Sequence, residues 1–278
     1  MESRAPSHET SGRMHSDNWD QHWQDYAASA ELNPAQRYRR QLIVRLLGSK
    51  SPHLGRIMDL GSGSGDLLSE LNRITAPAGM LGIEQSATGI QIASQKVPLA
   101  SFLQLDLMLP VPADCPYREW AGYAVCSEVL EHSDDPGLFL RNSTALMSPG
   151  CTLIVTVPGG PMSAFDRHIG HRKHYSVAEL RELLEQSGFS VKSVVGAGFP
   201  FFNLYRILVI LRGHALTQDV SNNSSKIARL ISSAMMGLFH ALFVFNRSQG
   251  KFGWQTVAVA EWTRGTLQVG HELADKNF

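Results

Sequence analysis

Glu128, Glu131 and His132 have the types and spacing for chemistry. On one helical turn they stand at i, i+3 and i+4, so two carboxylates and an imidazole share a face. Such a face can accept a proton, because imidazole titrates near neutrality, or hold a divalent cation such as Mg²⁺. A second reactive run follows: Asp166-Arg-His168-Ile-Gly-His171-Arg-Lys-His174-Tyr175. Its histidines, among Arg167, Arg172 and Lys173, read either as a polar surface loop or as a cationic pocket for an anionic or sugar-like acceptor, with Tyr175 as a wall. Earlier in the chain Gly61, Gly63 and Gly65 follow Arg56-Ile-Met-Asp-Leu60. Glycines let a backbone approach a ligand closely. The turn lacks the Gly-Lys-Ser/Thr ending of a phosphate-gripping loop. Asp59 would repel a pyrophosphate and suits a ligand with a positive end, such as an ammonium or a sulfonium.

These groups need a frame, and the apolar pattern supplies one. Strands are expected over 56–60, 79–84, 101–105, 123–126, 151–157, 189–195 and 252–260. Helices are expected over 34–47, 65–74, 87–96, 135–147 and 176–186, the first opened by Asn33-Pro34 and the last by a Ser176/Glu179 capping box. Alternation of this kind implies crossovers and a parallel sheet: an α/β, doubly wound, Rossmann-like fold. Ligands of such sheets sit beyond the carboxyl ends of the strands. Asp59, Glu84, Asp106 and Glu128 each fall at or just past such an end; helix capping explains one such acid better than four.

Between 198 and 250 the pattern changes to two apolar stretches, 199–211 and 227–245, joined by a polar link over 221–225. Neither reads as a membrane span. A hydrophobic lid, a homodimer face and a peripheral membrane contact all stand as readings. The expected organisation is an aromatic, flexible segment over 1–33 with Trp19, Trp23 and Tyr26, a catalytic domain over 34–197 and 251–265, and the insertion over 198–250.

The chain has 278 residues, enough for one large domain with an elaboration. Lys and Arg number 25, as do Asp and Glu, so no net field favours nucleic acid. Cys115, Cys126 and Cys151 form no CxxC pair and fit a reducing, cytoplasmic setting. The polar start has no signal-peptide core, and about its first fifteen residues read as disordered.

Asp59-Leu-Gly-Ser-Gly-Ser-Gly65, the acids Glu84 and Asp106, Glu128-Val-Leu-Glu131-His132 and Leu146-Met-Ser-Pro-Gly150 together resemble the ordered motifs of class I S-adenosylmethionine-dependent methyltransferases, in the ubiquinone-pathway-like branch. The resemblance covers 56–197 and the last strand, not the insertion. It implies that the last strand is antiparallel. It also implies that S-adenosylmethionine is held by Asp59, Gly61, Gly63, Gly65, Glu84, Gln85, Asp106, Leu107 and Ser127, with Glu84 on the ribose and Asp106 on the adenine amine. His132 and His171 become the expected catalytic groups, and Glu128, Glu131 and His132 the expected metal ligands. Tyr38, His168, His174 and Tyr175 become the expected acceptor contacts. The implied reaction is methyl transfer to a small-molecule acceptor, most simply a hydroxyl on a partly hydrophobic natural product, quinol or lipid-linked molecule. N-, S- or C-methylation without metal, or cofactor binding without turnover, are the alternatives.

Overall fold

The structure, a computed structural model, describes residues 18–24, 33–48, 55–75, 77–219 and 226–263, with the backbone alone for 212–219 and 226–233. The first fifteen residues, Tyr26 and the 221–225 link lie outside the described residues.

Strands β1 (Arg56–Leu60), β2 (Gly79–Glu84), β3 (Ser101–Gln104), β4 (Ala121–Ser127), β5 (Met147–Pro158), β6 (Phe189–Ala197) and β7 (Gln255–Trp262) form one sheet in the order β3-β2-β1-β4-β5-β7-β6. The first five are parallel; β7 runs antiparallel to both β5 and β6. Strand order reverses between β1 and β4, the place where such sheets open a ligand crevice.

Alternation along the strands decides which face each helix covers. Ile57, Val125, Ile154 and Val259 pack under α1 (Pro34–Gly48) and α2 (Asp66–Ile74) through Ile43, Leu47, Leu68 and Leu71. Met58, Cys126, Leu153 and Val155 pack on the other face with Leu140 of α4 (Pro136–Ser143) and with Leu180 and Leu184 of α6 (Val177–Gln186). Between them in sequence lie α3 (Ala87–Lys96) and the short α5 (Ala164–His168). Caps set the starts: the Asn33 side chain accepts the Ala35 N–H at 2.9 Å, Ser86 accepts from Gly89, and Ser176 and Glu179 form a reciprocal box.

Several expected boundaries move. The helix after β4 stops at Ser143, and a 3₁₀ turn (Thr144–Leu146) leads straight into β5. The hydroxyls of Ser143 and Thr144 bond back to the carbonyls of Leu140 and Arg141, both at 2.7 Å, which competes with helix continuation. Met147 already pairs with Ala121, so β5 begins four residues before Cys151. At the other end β7 starts at Gln255, because Asn203 takes the Phe252 carbonyl and the Trp254 N–H away from the ladder.

The apolar insertion between β6 and β7 consists of α7 (Phe201–Asp219), α8 (Lys226–Leu242) and a closing 3₁₀ turn (Phe243–Phe245). Phe202, Phe239 and Phe243 pack with Tyr38 and Leu42 of α1 and with Val257 of β7. No helix among the described residues is long and apolar enough to cross a membrane.

Candidate active site

A cavity of about 250 Å³ opens beyond the carboxyl ends of β1 to β4. Gly61, Glu84, Gln85, Asp106, Leu107 and His132 of the sequence-derived set line it, together with Glu128. Val129, Met108, Phe139 and Arg172 add walls, and Trp19 and Trp23 of the helical segment 19–24 cover it. Asp20 fixes that segment by accepting from the Ser86 hydroxyl at 2.6 Å and from the Thr88 N–H at 2.9 Å.

The glycines divide the work. Gly61, Gly63 and Gly65 all have positive φ (71°, 51° and 76°). Only Gly61 faces the cavity. A Cβ on Gly63 would lie 2.3 Å from the Trp23 ring, and one on Gly65 would lie 2.9 Å from the Ala93 Cβ. Gly63 is thus covered by an aromatic lid, and Gly65 serves the close packing of α2 on α3 instead of a ligand.

Glu84 is buried, and its two oxygens accept three backbone N–H groups, from Gly63 at 2.8 Å, Gln85 at 3.0 Å and Ser86 at 2.9 Å. Burial raises its carboxyl, and those N–H groups pull it down again. Asp106 accepts the Met108 N–H at 2.8 Å, which shapes the next turn of wall. Asp59 lies beneath the glycine turn, outside the lining; burial, then the charges of Glu84 and Asp66, push it up to about 8. A cationic neighbour would hold it ionised, so it suits an ammonium better than empty space. Ser127 does not line the cavity; its hydroxyl is engaged with that of Thr156 at 2.8 Å. Acids at the rim and a glycine in the wall fit an adenosyl and amino-acid ligand.

The metal-ligand grouping expected from helical spacing is corrected. Glu128 has a φ of 58° and no helical turn carries it; only Leu130–His132 forms a 3₁₀ turn. Its carboxylate points at Arg39 (2.9 Å) and accepts from Gln255 (2.8 Å), so it is committed to an ion pair. Burial still pushes it up, with Arg39 opposing. Two sets of ligand atoms converge among the described residues, each within 4.8 Å: Glu131, His132 and His171, and, with Asp166 already held by Arg206, Asp166, His171 and His174. Glu131 is wholly buried and neither carboxylate oxygen has a hydrogen-bond partner. Burial, then the nearby Glu128, raise it well above the ordinary carboxylate range. One carboxylate with two imidazoles is a donor set for zinc or iron more than for Mg²⁺.

His171 stands edge-on to His132, with ring centroids 4.7 Å apart, and His132 stands edge-on to Trp19 at 4.9 Å. Burial, then the His132 charge, lower His171 to about 2, so it is neutral at ordinary pH. His171 Nδ1 lies 3.1 Å from His174 Nε2. Behind both is Asp166, buried and gripped by Arg206 at 2.8 and 3.0 Å. Burial alone would raise Asp166, but Arg206 and Ser163 outweigh it and hold it at about 2. The loop is sewn down further: the Arg172 N–H donates to the Glu131 carbonyl at 2.7 Å, and its guanidinium reaches the Asp134 carboxylate and the His132 carbonyl.

All four expected acceptor contacts fall outside the cavity lining. Tyr38 is buried between Phe202 and Phe243, at centroid distances of 5.5 and 5.4 Å, because α1 docks on the insertion; burial pushes its phenol to about 12. His168 ends α5 on the exposed side. Tyr175 is a core residue whose hydroxyl donates to the Leu130 carbonyl at 3.2 Å. His174 is buried behind His171, outside the cavity lining.

Arg39, Gln255 and Asp166 are the site-supporting residues that spacing motifs miss. Arg39 had a signal: it lies in the buried stripe Ala35, Tyr38, Arg39, Leu42, Ile43 of α1, where a cation must find a partner. Gln255 had a weaker one, as the amide that opens an otherwise apolar strand.

A family model described as a methyltransferase domain matches residues 31–194, more than half of the chain. A ubiquinone biosynthesis O-methyltransferase of Nitrobacter winogradskyi is 33% identical over 95 residues, 34% of this chain and 35% of that protein. The mitochondrial ubiquinone biosynthesis O-methyltransferase of Mus musculus is 26% identical over 210 residues, 66% of this chain and 56% of that protein. The chain therefore spans little more than a third of the length of the bacterial relatives it matches. Among solved structures, the N-methyltransferase NodS of Bradyrhizobium japonicum with S-adenosyl-L-homocysteine shares the fold at a TM-score of 0.52 and 20% identity, over 64% of this chain and 90% of that one. With the motif order, the sheet topology and the family match in agreement, the chain belongs to the methyltransferase domain family, as a class I, S-adenosylmethionine-dependent member.

Proposed function

We propose that the chain transfers a methyl group from S-adenosylmethionine to a hydroxyl of a small, partly apolar acceptor, with His132 taking the hydroxyl proton. One observation carries this reading: His132 opens into the same cavity as Glu84, Gln85, Asp106 and Leu107. When bound, S-adenosylmethionine supplies a methyl carbon already activated by its sulfonium. Glu84 and Asp106 would hold its ribose and adenine, and Gly61 would lie against its methionine part. Met108, Val129 and Phe139 would exclude water from the acceptor and align its oxygen with the methyl carbon. As the oxygen formed its bond to the methyl carbon, the carbon–sulfur bond would break to leave S-adenosylhomocysteine, and the hydroxyl proton would pass to His132. The naming of the relatives as O-methyltransferases supports a hydroxyl acceptor.

The test is a methyl-transfer assay with a catechol-like acceptor beside calorimetry of the cofactor. His132→Ala should lower kcat by about 10²- to 10⁴-fold while cofactor affinity stays within about threefold. A wild-type rate would remove the proton-acceptor role. Unchanged binding with no turnover on any oxygen, nitrogen, sulfur or carbon acceptor would favour a binding protein.

The orphaned carboxyl of Glu131 favours a second version, in which a divalent cation sits on Glu131, His132 and His171. Bound there, the cation would lower the pKa of the acceptor oxygen. Glu131→Gln should then lose zinc binding by calorimetry without loss of stability. If zinc gives no heat with the wild-type chain, this version fails.

A further inference from the structure

The insertion has a face that the methyltransferase reading does not use. On α7, Phe202, Asn203 and Arg206 turn inward, while Leu204, Ile207 and Leu211 form a stripe on the opposite side. Leu211 is 77% exposed, Val244 72%, and Phe245 and Phe252 71% each. The last three belong to one corner. Phe252 meets Phe199 with ring centroids 6.0 Å apart, Phe199 is bridged through its backbone to Arg247, and the Asn246 side chain accepts the Phe201 N–H. Met235 and Leu238 of α8 are exposed as well. Single exposed apolar residues need no explanation, but this concentration of leucines and phenylalanines in one insertion does.

Charge says what covers it. Between residues 198 and 252 stand six Lys and Arg against one acid, Asp219, in a chain whose cations and acids balance at 25 each; of the six, Arg206 is spent on Asp166, which leaves five. The insertion is therefore a basic segment on an otherwise acidic protein. Arg247 and Lys251 are exposed beside Val244, Phe245 and Phe252, and exposed Arg37 of α1 lies near His240 of α8. Apolar tips rimmed by cations match the boundary between acyl chains and anionic headgroups. A two-fold contact through this face would instead bury two copies of these cations together, with Asp219 the one acid of each insertion to offset them. A lid would turn its apolar residues towards the cavity, whereas these point to solvent.

We propose that the corner of Phe199, Val244, Phe245 and Phe252, with Arg247 and Lys251, docks the protein on an anionic membrane surface. The apolar tips enter the interface, the cations meet the headgroups, and no helix spans the bilayer. The proposal stands apart from the choice of methyl acceptor.

The experiment is flotation of the full chain with vesicles of phosphatidylcholine alone or mixed with phosphatidylglycerol, at low and high salt. Binding is expected to the mixed vesicles only, and to fall at high salt. Val244→Ser with Phe245→Ser should abolish it, and Arg247→Glu with Lys251→Glu should weaken it about tenfold or more. Circular dichroism melting and cofactor calorimetry report whether the variants keep the fold. Absence of binding to mixed vesicles by the folded wild-type chain would overturn the proposal. So would equal binding to both vesicle types, or a concentration-dependent dimer in sedimentation equilibrium that Phe245→Ser dissolves.

Discussion

Glu84 lines the cavity and takes three backbone N–H groups; Glu131, next to His132 but outside the lining, is buried more deeply and takes none. Burial pushes both carboxyls up; three backbone N–H groups oppose it at Glu84, whereas the nearby Glu128 adds to it at Glu131. The Glu84 end is thus a finished cradle, fixed by the turns that follow β1 and β2. The histidine end is held from a distance. Asp166 is pinned by Arg206 from the insertion, and Glu128 by Arg39 from α1 and Gln255 from β7. Neighbours in sequence supply most of the first set of contacts, and only tertiary packing supplies the second.

The sharpest way to break this contrast is to remove the distant pin. Asp166→Ala leaves the buried Arg206 without its partner and should cost about 3–5 kcal/mol in urea unfolding. A loss below about 1 kcal/mol would show that the histidine end does not depend on it. At the other end Glu84→Ala should weaken S-adenosylmethionine binding by about 100-fold, read by calorimetry, with a smaller effect on stability. Equal affinity would deny Glu84 its place in the cradle.

Proton linkage separates the two ends next. The folded pKa of His171, about 2, lies below its unfolded value of 6.5, so the unfolded state binds more protons in between. Its contribution is present above pH 6.5 and is lost as the pH falls towards 2. From pH 7 to 5 this group alone removes about 2 kcal/mol, while Asp59, raised to about 8, works with the opposite sign over the same window. His171→Gln should remove that loss and leave the opposing rise, so a pH slope unchanged from wild type would place the titration elsewhere. Asp166, held at about 2 against 3.8, adds a further loss only below pH 4 or so. The smallest effect belongs to a purely local device. Asn33→Ala removes the cap of α1 and should cost about 1 kcal/mol in thermal melting, with the pH slope intact.

The cofactor end was legible in advance for the same reason that it is rigid. Gly61, Glu84, Gln85, Asp106 and Leu107 each follow a strand whose apolar run is visible, and a strand tip fixes where the next residue points. The acceptor end was legible only as residue types. Helical spacing put Glu128 with Glu131 and His132, but a left-handed backbone at Glu128 broke that spacing and turned its carboxylate to Arg39. Tyr38 is an expected acceptor contact only through the family resemblance. It is instead a packing residue, since α1 must cover the insertion.

The amino-acid sequence by itself determined the alternation of strands and helices, their caps, the glycine turn and the row of acids at the strand tips. All of these depend on periodicity and on contacts a few residues apart. Tertiary structure alone decided which histidines face inward, that Glu131 and not Glu128 joins them, and which side of the insertion is left to solvent. Those outcomes depend on pairs such as Arg206 with Asp166 and Arg39 with Gln255, forty and more than two hundred residues apart. Such pairs meet only once the sheet has closed around its core, and no local pattern carries their geometry.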